Sequence, residues 1–152
     1  MTTKTKSKIL YSTVINDTVN YFFPTHDNLL VMDRSNAEIA EAFIVRIAPG
    51  KYSHRHIHYD TEQLYYIISG EGRIDIERDG KKESFNLSPA NFVHIPRNCY
   101  HQTYCKGTET LKYLAIDCFP FGHNPAEPTW DDHAKAICKL NNWDYSKVTV
   151  CS

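Results

Sequence analysis

The chain has 152 residues, of which 41% are hydrophobic and 23% charged, with a formal net charge of −1. That length suits one domain with one substantial core. The balanced charge offers nothing to nucleic acid or an anionic membrane, and no stretch approaches the roughly 20 apolar residues of a membrane span.

The opening "MTTKTKSKILYSTV" has no apolar run long enough for a secretory signal. The five cysteines are odd in number and lack C-x-x-C spacing, which suits reduced thiols. The expectation is a cytoplasmic protein whose partner is a small-molecule substrate, with no nucleic acid and no membrane.

Residues 1–35 are mixed and polar around an apolar patch at Tyr21–Pro24. They read as an N-terminal arm or edge strands. Residues 36–120 are short β-rich runs broken by turn signals. "AFIVRIA" ends at Pro49-Gly50, "QLYYIIS" at Gly70, and "GRIDIER" at Asp79-Gly80, a strong hairpin signal. "ESFNL", "NFVHI", "YHQTYC" and "TLKYLAIDCF" follow, each closed by Pro or Gly within three residues. Turns every 8–12 residues between short strands predict an all-β sandwich or barrel. The extension 121–152 differs. Thr129 followed by Asp132 resembles a capping box, and Trp130, Ala134, Ile137, Cys138 and Leu140 fall near helical spacing. This predicts one helix at about 130–141, packed on the outside of the barrel.

The chemistry concentrates in "GKYSHRHIHYDTEQLYYIISGEG", Gly50 to Gly72. On a strand alternate residues share a face, so His54, His56 and His58 point together, with Arg55 and Ile57 away. Three bare imidazoles are costly to bury, and a metal ion using their neutral nitrogens removes that cost. An exposed histidine-rich strand is the plain alternative. In the next strand Gln63, Tyr65 and Ile67 share one face and Glu62, Leu64, Tyr66 and Ile68 the other. Only one of Glu62 and Gln63 can face the site. His101 follows a turn made rigid by Pro96.

These residues resemble the paired motifs of the cupins, small double-stranded β-helix (jelly-roll) barrels. The first motif runs Gly50, His56, His58, Gln63, Gly70, and the second Pro96, Asn98, His101, Cys105. The resemblance covers roughly residues 40–118. It implies one divalent transition metal ion (Zn, Ni, Mn or Fe) held by His56, His58, Gln63 and His101, with Glu62 as the alternative ligand. Asn98 stands where the motif has glycine, a tolerable exchange because asparagine enters left-handed turns readily. Small cupins also resemble one another in forming homodimers.

The last strand ends "LAIDCFPFGH", similar to the barrel end of cupin enzymes that linearise unsaturated uronates. That resemblance makes Asp117 the candidate catalytic group. The arginine those enzymes place just downstream has no counterpart, since no arginine follows Arg97. His54, Tyr52, Tyr65 and Tyr100 are candidate substrate-pocket residues. The resulting expectation is a metal-dependent isomerase, cyclase or lyase acting on a small carbonyl or sugar-like substrate. A non-haem iron dioxygenase and a non-catalytic binding cupin are the alternatives.

Overall fold

The structure, a computed structural model, describes residues 11–13 and 18–151. The other residues of the expected N-terminal arm lie outside that range. Among the described residues are ten strands: β1 (Val19–Phe22), β2 (Asp27–Met32), β3 (Ala40–Ile47), β4 (Glu62–Ser69), β5 (Gly72–Arg78), β6 (Lys81–Leu87), β7 (Phe92–Ile95), β8 (Tyr100–Cys105), β9 (Leu111–Cys118) and β10 (Thr149–Cys151). The helix α1 spans Trp130–Asn141. No helix among the described residues is long and apolar enough to cross a membrane.

The strands form two sheets, ordered β10-β1-β2-β3-β9-β4-β7 and β6-β5-β8. Every pairing is antiparallel. The two sheets make a jelly-roll barrel. Its core lies between them, with Ile47, Ile67, Ile74, Leu111 and Ala115 all 0% exposed. Alternation along β9 is strict, buried then half-buried through eight residues. That is the period-2 pattern of a strand with one face in the core.

Two turns show why the sequence closes this way. Asp79 and Gly80 link β5 to β6 with φ of 51° and 76°, the double left-handed geometry of a two-residue hairpin loop. Gly70 has φ +80°, and an added Cβ there would lie 2.5 Å from the Thr110 carbonyl oxygen. Only glycine fits. Asn98, in the place of the motif's glycine, takes φ 65°.

The N-terminal strands β1 and β2 join the large sheet, and β10 covers the free edge of β1. The helix starts at a formed capping box: Thr129 accepts from the Asp132 amide, and Asp132 accepts from the Thr129 amide. Its Trp130, Ala134 and Cys138 are at most 2% exposed and belong to the core. So α1 is not an outer layer, as the sequence suggested. Its buried stripe sits on the barrel's core while Trp130, His133 and Ile137 wall the central cavity. A stripe at i, i+4 and i+8 fixes which face is buried, not what lies beneath it.

Candidate metal centre

Residues 51–58 leave the large sheet and run beside β8, with bridges at Tyr52–Tyr104 and His56–His101. Tyr52 and His56 are four positions apart, but Tyr104 and His101 only three. The extra residue is a bulge, and it reverses the alternation between the two bridges. This explains a correction. Tyr52 does not share the inward face of His56: it is 49% exposed and packs on Tyr104 at 5.8 Å. Tyr100 also misses the cavity, because it neighbours His101 and so points to the opposite face. It is 37% exposed, with the Arg55 guanidinium 3.8 Å over its ring. Ile57, expected to face away, lines the cavity.

His56, His58 and His101 converge, with their candidate ligand atoms all within 4.8 Å of one another. The His56 Nδ1 lies 2.8 Å from the His54 carbonyl, and the His101 Nδ1 3.0 Å from the Cys99 carbonyl. A carbonyl only accepts, so each Nδ1 carries the proton and each Nε2 keeps a free lone pair. Nε2 of His58 and of His101 is buried without a partner. Orphaned ring nitrogens close together, with two of the three rings fixed from behind by carbonyls, are what a metal site requires. The residues fit a divalent metal.

Electrostatics agree. Burial holds the His56 and His58 imidazoles well below their ordinary pKa, and the neighbouring His101 adds to this. Burial lowers His101 to about 4 against the Cys99 hydrogen bond, and lowers His54 to about 4 with help from His133. The rings are neutral, the ligating form.

Gln63 is 3% exposed and lines the cavity with Tyr65 and Asp117, whereas the Glu62 side chain is 41% exposed and pairs with His94 on the outer face. The Tyr65 hydroxyl donates to Gln63 Oε1 at 3.1 Å, and Gln63 Nε2 donates to Asp117 Oδ1 at 2.7 Å. Asp117 is 2% exposed and is hydrogen-bonded to Glu41, its cross-strand partner. Burial, reinforced by the Glu41 carboxylate, pushes Asp117 well above the usual carboxylate range. Both effects favour its neutral, protonated form.

Several members of this network escaped the sequence reading. Arg34 grips Glu41 through two hydrogen bonds of 2.8 and 2.7 Å, with side chains 2% and 0% exposed. It also donates to the Glu127 carbonyl at 3.0 Å, and the Glu127 carboxylate lies 2.8 Å from His133 Nδ1. The His133 ring stands 6.0 Å from that of His58. On the other side the His26 ring lies 5.9 Å from that of His54. No local motif marks Arg34, Glu41 or His26. A signal existed only for His133, which falls on the predicted helix among its apolar positions.

The cavity has a volume of about 170 Å³. Histidines and Gln63-Asp117 form its polar side, and Phe43, Val45, Ile137 and Leu140 its apolar side. That space suits a molecule smaller than the usual drug-sized ligand.

Residues 43–117 match the Cupin_2 family, described as a cupin domain. With the two-sheet barrel, this makes the chain a small cupin-domain protein. Oxalate decarboxylase OxdC of Bacillus subtilis is 26% identical over 117 residues, covering 74% of this chain and 27% of its own length. The uncharacterized protein MJ1618 of Methanocaldococcus jannaschii is 29% identical over 47% of this chain and 54% of its own length. The chain thus spans about half or less of these curated relatives. Among solved structures, the formate complex of Lactobacillus farciminis oxalate decarboxylase superposes with a TM-score of 0.64 at 20% identity, over 87% of this chain and 40% of that one. KdgF from a Halomonas species gives 0.52 at 19% identity, over 65% and 84%. These structural likenesses concern the fold.

Proposed function

We propose that the protein is a metal-dependent cupin enzyme that moves protons on a small carbonyl or sugar-like substrate, as an isomerase, cyclase or lyase does. One observation carries this reading: Asp117, a buried carboxyl whose neutral form is favoured, lines the same cavity as His56 and His58 and accepts a hydrogen bond from the inward amide of Gln63. His56, His58 and His101 would hold the ion, with Gln63 as the fourth candidate ligand. A metal bound there supplies a Lewis acid for a carbonyl or hydroxyl oxygen.

The chain's own groups account for the rest. Asp117 keeps its proton because burial and Glu41 disfavour a second carboxylate. It can give that proton to a substrate carbonyl oxygen and, as the carboxylate this leaves, take one from the adjacent carbon, which restores its own proton; the Arg34–Glu41 pair faces the charge in between. Gln63 fixes the orientation of the Asp117 carboxyl. The Tyr65 hydroxyl, held protonated by burial, donates to Gln63 Oε1 and so fixes which way the amide points. The apolar wall and α1 keep bulk water from the reacting centre.

The dioxygenase reading is weaker, because Glu62, the acid next to the first-motif histidines, lies on the outer face and cannot complete a two-histidine, one-carboxylate triad. The test is a panel of small hydroxy-ketones, aldoses and hydroxy acids incubated with zinc-, manganese- or iron-loaded protein in D2O and followed by NMR. Deuterium entering beside a carbonyl, abolished by His101→Ala and by Asp117→Asn, supports the proposal. Turnover lost on His101→Ala but kept on Asp117→Asn removes Asp117 from it. Oxygen consumption without deuterium exchange favours the dioxygenase.

A further inference from the structure

Three more buried polar atoms lack a partner, each from a different part of the chain. They are Asn28 Oδ1 on β2, His54 Nδ1 on the bulged segment and Trp130 Nε1 at the start of α1. All three side chains line the cavity that His56 and His58 line. Asn28 and Trp130 are 5% and 1% exposed. Structural need does not explain Asn28. It sits opposite Val45 in the β2–β3 register and opposite Tyr21 in the β1–β2 register, an amide among core residues where an aliphatic side chain would pack without cost. Buried polar groups without partners are rare, and three around one cavity mark what the cavity is built to receive.

Their chemistry restricts the ligand. An amide oxygen only accepts, an indole N–H only donates, and an imidazole nitrogen does either according to its tautomer. A second cation would be faced by the indole N–H, and an anion by the amide oxygen. An alkyl group would satisfy none of the three. A hydroxyl group both donates and accepts.

We infer that Asn28, His54 and Trp130 form a hydroxyl-recognising subsite, so that the ligand carries a metal-binding oxygen at one end and one or more hydroxyl groups at the other. This deepens the proposed function and rests on its reading of the histidine trio as the metal centre. It narrows the substrate class to small hydroxylated carbonyl or carboxyl compounds, and gives the subsite the discriminating role. A site whose buried polar atoms wait for a hydroxyl rejects the analogue that lacks it far more strongly than an apolar pocket rejects a missing methylene.

The probes are ω-hydroxy carboxylates of two to six carbons and their parent carboxylates, titrated calorimetrically into the zinc-loaded full chain. At the chain length that spans the site, the hydroxylated acid should bind about tenfold tighter or more than its parent. In Asn28→Leu, which keeps the volume and removes the acceptor, and in Trp130→Phe, which removes the donor, that gap should shrink while zinc stoichiometry is kept. A gap under threefold at every length, or one that survives both substitutions, overturns the subsite. If the chain takes up no zinc, the metal reading falls separately. The same pairs are then compared on the metal-free chain through the ¹⁵N shifts of the His54 ring. A larger response to the hydroxylated acid supports the subsite, and equal responses overturn it.

Discussion

Gln63 and Asp117 face each other across the β4–β9 pair, and the amide of one donates to the carboxyl of the other at 2.7 Å. The contact ties a residue of the first histidine motif to the last strand of the barrel. It places the candidate acid beside the candidate ligand set, with the Arg34–Glu41 ion pair behind it.

The proton on Asp117 has a measurable consequence. Its folded pKa is raised, so between the unfolded value near 4 and the folded value the native state binds a proton that the unfolded state has lost. Stability is then fully present at low pH and falls as pH rises toward the folded pKa. The slope this adds is about 1.4 kcal/mol per pH unit at most and is opposite in sign to that of the histidines. Urea denaturation of wild type and Asp117→Asn across about pH 5 to 8 should show it as a difference, the variant losing less stability than the wild type as pH rises. An unchanged slope in the variant would show that Asp117 is ionised.

The histidines act in the opposite direction. The folded chain holds His26 at about 3, His54 and His101 at about 4, and His56 and His58 well below normal, all chiefly through burial. The unfolded chain protonates them below about pH 6.5. Their contribution is present above that pH and is lost as pH falls toward about 4, at roughly 1.4 kcal/mol per pH unit for each imidazole. Thermal melts of metal-free protein should drop steeply across this window. A flat Tm between pH 6.5 and 4.5 would mean that the rings are solvated.

Arg34 neutralises a buried carboxylate beside a buried acid. Arg34→Met should destabilise the fold by about 3–5 kcal/mol, the usual result of leaving one partner of a buried ion pair alone. The double substitution Arg34→Met with Glu41→Gln should recover much of that loss, since no unpaired charge remains. Chemical denaturation of the three variants reads this directly. Equal losses in single and double variants would contradict it.

The orientation of β4 predicts which neighbour matters to the metal. Glu62→Ala removes only an outer-face pair with His94 and should leave zinc affinity within twofold. Gln63→Ala removes an inward amide and should weaken zinc by about tenfold or more. Competition with a chromogenic chelator ranks the two, and the reverse order would make Glu62 the ligand.

The sequence made the barrel legible because short β-rich runs such as GRIDIER alternate apolar and charged residues and because Asp79-Gly80 and Gly70 carry turn chemistry that few other residues satisfy. His56 and His58 were legible from their two-residue spacing, and His101 from the resemblance to the second cupin motif. Tyr52 was misread because its face depends on one extra residue relative to a partner strand some fifty positions away. Arg34, Glu41 and Asn28 were invisible for a related reason. Each is a single polar residue in an ordinary strand or turn, and its meaning comes from what the sheet order β2-β3-β9-β4 lays beside it.

The most direct test of the account is a zinc titration of metal-free wild type and His101→Ala, followed by calorimetry and by X-ray absorption at the zinc edge. The account predicts one equivalent bound in the wild type with an imidazole-rich coordination shell, and at least a tenfold loss of affinity in the variant. No saturable binding, or binding that His101→Ala leaves untouched, would contradict it.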